Sequence, residues 1–154
     1  MIVHLLVLLI GIVAGLRALT APAAVSWAAH LGWLPLNGTA LAFLGSTWAA
    51  WILTALALGE LVTDQLPTTP SRTVPIAFGT RILTGALSGA ALGVTAGSLV
   101  VGAVLGAVGA VIGTLGGHSV RAWLAARFGK DRPAAFIEDA VAIVGAALIV
   151  SAFV

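Results

Sequence analysis

The sequence predicts an all-α fold, a polytopic transmembrane bundle of about five helices whose first helix is kinked or broken, and three observations carry that prediction. Hydrophobic residues make up 60% of the chain and charged residues only 8%, where a soluble domain carries about 25%. Between Arg17 and Glu60 the only ionisable side chain is His30, and between Arg81 and Arg121 it is His118. Such tracts are about twice the roughly 18 residues that suggest a membrane span, so each must fold back on itself. Glycines recur at helical spacing through the second half of the chain, which suits close helix packing in lipid.

The first helix is expected from Ile2 to about Gly32. Met1 to Ile10 resembles a signal-peptide core, but Arg17 follows the apolar run instead of preceding it, so a retained helix is expected. Gly15-Leu-Arg17-Ala-Leu-Thr20-Ala-Pro22 should kink or break it, because proline removes a donor and clashes with the preceding turn. Whether residues 22–32 finish one tilted span or form a separate half-helix is left open. Trp33 to Gly38 reads as a loop. A second helix is expected over Thr39–Gln65, followed by a proline-rich connector from Leu66 to Pro75. A third helix should start on Pro75 and run to Thr95, a fourth should span Gly97–Phe128, and Gly129 to Pro133 forms a polar turn. A fifth helix should run from Ala134 to the C-terminus. The whole of 1–154 is read as a single transmembrane domain.

Four of the seven Lys and Arg residues lie between Arg121 and Arg132. They read as a topology signal that places the last loop in the cytoplasm, not as a nucleic-acid footprint. There is no cysteine, which excludes disulfides and thiolate chemistry. His4, His30 and His118 are scattered without metal-ligand spacing, and neither a metal site nor a cofactor is expected. Trp27, Trp33 and Trp123 are candidate interfacial anchors.

Gly85, Gly89, Gly93 and Gly97 recur every four residues; Gly102, Gly106, Gly109, Gly113 and Gly116 recur at three and four. Each set shares one helix face. The first reading is tight packing, and the alternative is a glycine-lined pore or a lipid-facing groove. A weak two-fold repeat is also present: Gly15-Leu-Arg17-Ala-Leu-Thr20 matches Gly79-Thr-Arg81-Ile-Leu-Thr84 in four of six positions. The halves would be about 1–66 and 75–154, each with one acidic pair further on, Glu60 with Asp64 and Glu138 with Asp139. Many transporters combine two related halves and discontinuous helices around a central site.

An arginine in a bilayer interior needs an acceptor. Arg17 and Arg81 are therefore expected near the Glu60/Asp64 and Glu138/Asp139 pairs, with Arg72 as a further partner. These residues, with Thr20 and Thr84 of the repeat, form the candidate ligand or ion site. The same pairs read equally as structural clamps. Glu138 and Asp139 also suit the first turn of the last helix, where negative charge offsets the dipole. No G-x-S-x-G, H-E-x-x-H or P-loop pattern occurs, and no catalytic residue is assigned.

The run Glu60-Leu-Val-Thr-Asp64-Gln65-Leu-Pro67, followed by Pro70-Ser-Arg72-Thr, is the most distinctive stretch. Together with the Gly15–Pro22 segment and Ile137-Glu138-Asp139-Ala-Val, it resembles a family of small bacterial integral membrane proteins known as a domain of unknown function. That family carries a Gly-Leu-Asn/Arg break in its first helix and a Glu-x-x-x-Asp-Lys/Gln-x-Pro element closing its second. Here Arg17 replaces the Asn of many relatives, and Gln65 stands where Lys is common. The resemblance implies a multi-pass protein of the bacterial inner membrane and implies no activity.

Three functions fit these observations: a small transporter or channel with a central polar site, an assembly protein packing through its glycine faces, and a membrane enzyme acting on a lipid head group at Glu60 and Asp64. The first accounts best for charge at two related positions inside the bundle. Its expected partners are membrane lipids, a small ion or polar solute, and further copies of the chain that enclose a pathway.

Overall fold

The computed structural model describes residues 1–154, which form six α-helices and no strand. In chain order these are α1 (Ile2–Leu16), α2 (Thr20–His30), α3 (Thr47–Thr63), α4 (Pro75–Gly93), α5 (Leu99–Phe128) and α6 (Asp131–Ser151). Three segments, Pro75–Ala96, Leu99–Phe128 and Asp131–Ser151, are long and apolar enough to cross a membrane, while α1 and α3 are apolar but shorter. At 1.5 Å per residue α5 is about 45 Å long, more than the roughly 30 Å of a hydrocarbon core.

Element boundaries depart from the sequence reading at three places. The apolar stretch 2–32 forms two helices, α1 and α2, which raises the count from about five to six. Pro22 does not mark the discontinuity. It sits at the third position of α2, where a missing amide hydrogen costs nothing because the first turn has no intrahelical acceptor for it. The next helix starts at Thr47, not Thr39, because the Ser46 hydroxyl accepts from the Ala49 amide as an N-cap; residues 42–45 form only a 3-10 turn. The last helix starts at Asp131, not Ala134, which places Pro133 in its first turn.

Helix α5 is the hub of the bundle, and glycine makes it so. A methyl group on Gly89 would lie 2.7 Å from Gly106 Cα, and one on Gly102 would lie 2.7 Å from Gly93 Cα, so α4 and α5 touch backbone to backbone. On its other side α5 meets α1 in the same way: a methyl on Gly109 would lie 2.9 Å from Gly11 Cα. Gly106 faces both neighbours. It lies against Gly85 and Gly89 of α4, and its backbone is what a Cβ on Gly11 would strike. Such approach lets van der Waals contact hold helices that lipid gives no hydrophobic reason to associate. Two glycines leave the pattern. Gly97 adopts the left-handed conformation (φ +79°) in the turn after α4, and a Cβ on Gly116 would meet nothing within 4 Å.

Ile10, Val7, Val25, Leu44 and Leu92 fill the remaining core. The outer surface is apolar as well: Trp48 is 79% exposed, and Ile76, Leu83 and Leu148 also face outward. A surface of this kind suits contact with lipid. Substituting Gly106 with Leu should separate α5 from both α1 and α4 and cost about 3 kcal/mol, whereas Gly116→Ala should change stability by less than about 1 kcal/mol. Thermal unfolding of the two variants in one detergent checks the contrast.

Candidate functional site

The site is built around the interruption between α1 and α2. Arg17 is the residue that leaves helical geometry, with φ −139° and ψ 112°. A helix end inside the bundle leaves backbone groups without intrahelical partners. Side chains from elsewhere in the chain take them up. Glu60, near the end of α3, accepts from the Ala18 amide at 2.7 Å through one carboxylate oxygen and from Leu19 at 2.8 Å through the other. Arg81, in the second turn of α4, donates through Nη1 to the carbonyls of Gly15 (3.0 Å) and Leu16 (2.8 Å). Thr114 of α5 adds a longer bond to Gly15 at 3.3 Å. The anion thus caps a helix N-terminus and the cation a helix C-terminus, the arrangement the helix dipoles favour.

Arg17 itself is fully buried and bound by two carboxylates from distant helices. Nε donates to Asp139 Oδ1 at 2.6 Å, and Nη1 pairs with Asp64 Oδ2. Gln65 fixes the far oxygen of Asp139 at 3.0 Å. Arg72, in the connector before α4, grips Glu138 of α6 with both terminal nitrogens, the second at 2.8 Å. Arg121 of α5 holds Asp131 in a bidentate pair at 2.9 and 2.6 Å and lies 3.6 Å from Glu138. Arg81 reaches Glu60 at 3.8 Å. Every acidic residue in the chain belongs to this network, where four guanidinium groups face five carboxylates.

Several candidate residues occupy places the sequence does not announce. Arg17 and Arg81 both reach the acidic pairs, but the two copies of the repeat differ in backbone: Gly15 to Thr20 spans the interruption, whereas Gly79 to Thr84 is continuous helix. Thr20 is buried with its hydroxyl unpartnered, and Thr84 bonds only to the Arg81 carbonyl of its own helix at 3.2 Å. Glu138 and Asp139 lie beyond the first turn of α6. Asp131 occupies that turn, so the pair is placed to bind arginine and not to offset the dipole. Trp27 is half-buried and donates to Thr54 Oγ1 at 2.8 Å, while Trp123 remains exposed beneath Arg127. Sequence reasoning missed Gln65, Thr114 and the Arg121–Asp131 pair. Thr114 was the findable one, a lone hydroxyl between apolar residues and glycines.

Two clefts open on the network. One, of about 550 Å³, lies under the 66–75 connector and is lined by Asp64, Arg72, Arg81, His118, Arg121 and Asp131 among others. The second, of about 340 Å³, is lined by Ala18, Leu19, Glu60 and Thr80, and Arg81 and Ala77 belong to both walls. The Arg81 Nε is buried without an acceptor. Comparison with family models, with curated proteins and with solved structures finds no match.

Removing one partner from a buried ion pair leaves an uncompensated charge. Arg17→Met should therefore destabilise the protein by about 3–5 kcal/mol. Adding Asp64→Asn and Asp139→Asn to that variant should recover a large part of the loss. Thermal unfolding of the single and triple variants measures both effects.

Proposed function

We propose that this chain is a small integral membrane protein of the transporter or channel type, and that it binds a small ion or polar solute at the arginine–carboxylate network. The observation that carries the reading is the position of Arg81. It forms part of the wall between two clefts, holds the last carbonyls of α1, and keeps one N–H without an acceptor. A solute that accepts hydrogen bonds from this guanidinium competes with the Gly15 and Leu16 carbonyls. Occupancy of the cleft then couples to the fit between α1 and α2, which is how discontinuous helices serve transport. Arg17, Asp64, Asp139, Arg72 and Glu138 hold the frame within which Arg81, Glu60 and Thr20 exchange partners.

In this reading the unpaired Arg127, Lys130 and Arg132 keep the α5–α6 turn in the cytoplasm, so the larger cleft opens to that side of a bacterial inner membrane. The glycine seam closes the other half of so small a bundle, and a symmetric partner supplies the rest of a pathway.

A second reading has specific support. Arg17 has two carboxylate partners from distant helices, Asp64 and Asp139, as a structural clamp requires. Arg81→Gln separates the two. Reconstituted in liposomes and assayed for proton, sodium, potassium and chloride flux, it should lose about tenfold or more of the wild-type rate, the effect of one hydrogen bond to a charged group. Its unfolding temperature should fall by less than that of Arg17→Met, because the glutamine amide still donates to one of the α1 carbonyls. If every substitution in the network lowers stability and none alters flux selectively, the clamp is the function of the charges.

A further inference from the structure

The interior network consumes every carboxylate in the chain and leaves three cations over. Arg127, Lys130 and Arg132 surround the α5–α6 turn and pair with no acidic group. Asp131, which lies between the last two in sequence, does not neutralise them, because Arg121 holds both of its oxygens. Arg127 lies over the exposed ring of Trp123, 5.4 Å from its centroid, a pairing suited to the membrane–water boundary.

A largely apolar groove of about 320 Å³ starts beside this turn and runs between α1, α5 and α6. Leu16, Ile112, Val120, Leu124, Ile137 and Val141 line it. From Ile112 to Leu124 it follows α5 for about 18 Å. Gly116 lies in its wall. Other glycines of α5 lie against a neighbouring backbone or side chain, but a Cβ on Gly116 would enter open space, so packing between helices does not explain this residue. In a helix interior glycine is costly without such a reason. Here its missing side chain keeps the groove deep.

Arg127 lies three residues beyond Leu124 on the same face of α5, so the groove leads from apolar lining directly to the uncompensated cations. We infer that this groove holds an acyl chain of an anionic phospholipid, with the lipid phosphate on Arg127, Lys130 and Arg132. The two halves of the surface match the two halves of such a lipid. Hydrocarbon fills a concavity that water cannot occupy at that depth, and clustered basic residues beside a span attract anionic head groups. The groove touches the charged network only at Arg121, which also lines the larger cleft, and at Glu138, and the lipid assignment does not rest on transport.

Native mass spectrometry of the full chain in detergent, titrated with phosphatidylglycerol, phosphatidylcholine or glycerol phosphate, tests the assignment. The wild type should retain phosphatidylglycerol at least about tenfold better than phosphatidylcholine and should not retain glycerol phosphate, which has no chain to seat. Gly116→Leu fills the groove and should lose about tenfold in affinity for both lipids with unchanged thermal stability. The combined Arg127→Gln, Lys130→Gln and Arg132→Gln variant should bind both lipids alike, at the level of phosphatidylcholine. Equal retention of the two lipids by the wild type overturns the inference, as does a folded Gly116→Leu that binds phosphatidylglycerol like the wild type. Should Gly116→Leu fail to fold, the charge variant decides alone: a preference for phosphatidylglycerol that survives in it refutes the site.

Discussion

The structure turns on one constraint: a helix that stops inside an apolar bundle must find partners for the backbone groups it exposes. A backbone group left unsatisfied in a nonpolar interior costs several kcal/mol. Glu60 and Arg81 answer this need at the two sides of the interruption. Because these caps come from α3 and α4, the ends of α1 and α2 are tied to the helices that surround them. The 66–75 connector is drawn into the same arrangement through Arg72 and Glu138. The positions of four helices therefore follow from how one break is sealed.

Buried ion pairs are a poor route to stability, since well-packed apolar residues often do as well or better. The network here is extensive, and it sits where the backbone is irregular. The glycine contacts between α5 and its neighbours already hold the opposite part of the bundle without a single charge. The chain thus divides its labour: small residues provide cohesion, and charged residues are concentrated at one end, next to clefts.

Much of the fold was legible in the sequence, and the reasons are local. Long uncharged tracts and glycine spacing depend on neighbours three or four residues away, so the helical bundle and the α4–α5 seam could be read directly. Ser46 as a cap was also readable, yet the uniform hydrophobicity from Thr39 onward hid where the helix begins. The candidate site was legible as a set of residues and illegible as a set of pairs. Arg17 and Asp139 are separated by 122 positions, and no pattern along the chain distinguishes that partner from Glu138. Glu60 was foreseen as a partner for charge, whereas its firmest bonds are to the backbone amides of Ala18 and Leu19.

The long separation of Arg17 from Asp139 has a consequence for how the protein is made. Synthesis proceeds from the N-terminus, so this arginine enters the membrane long before either of its anions exists. Asp64 follows after 47 residues and Asp139 after 122. At bacterial or eukaryotic elongation rates the second delay is on the order of ten seconds. Until Asp64 is made, Arg17 carries a charge with no anion of the chain to pair with, and until Asp139 is made it has only one of its two. The ion pair of Arg17 with Asp139 is therefore among the last contacts that can form.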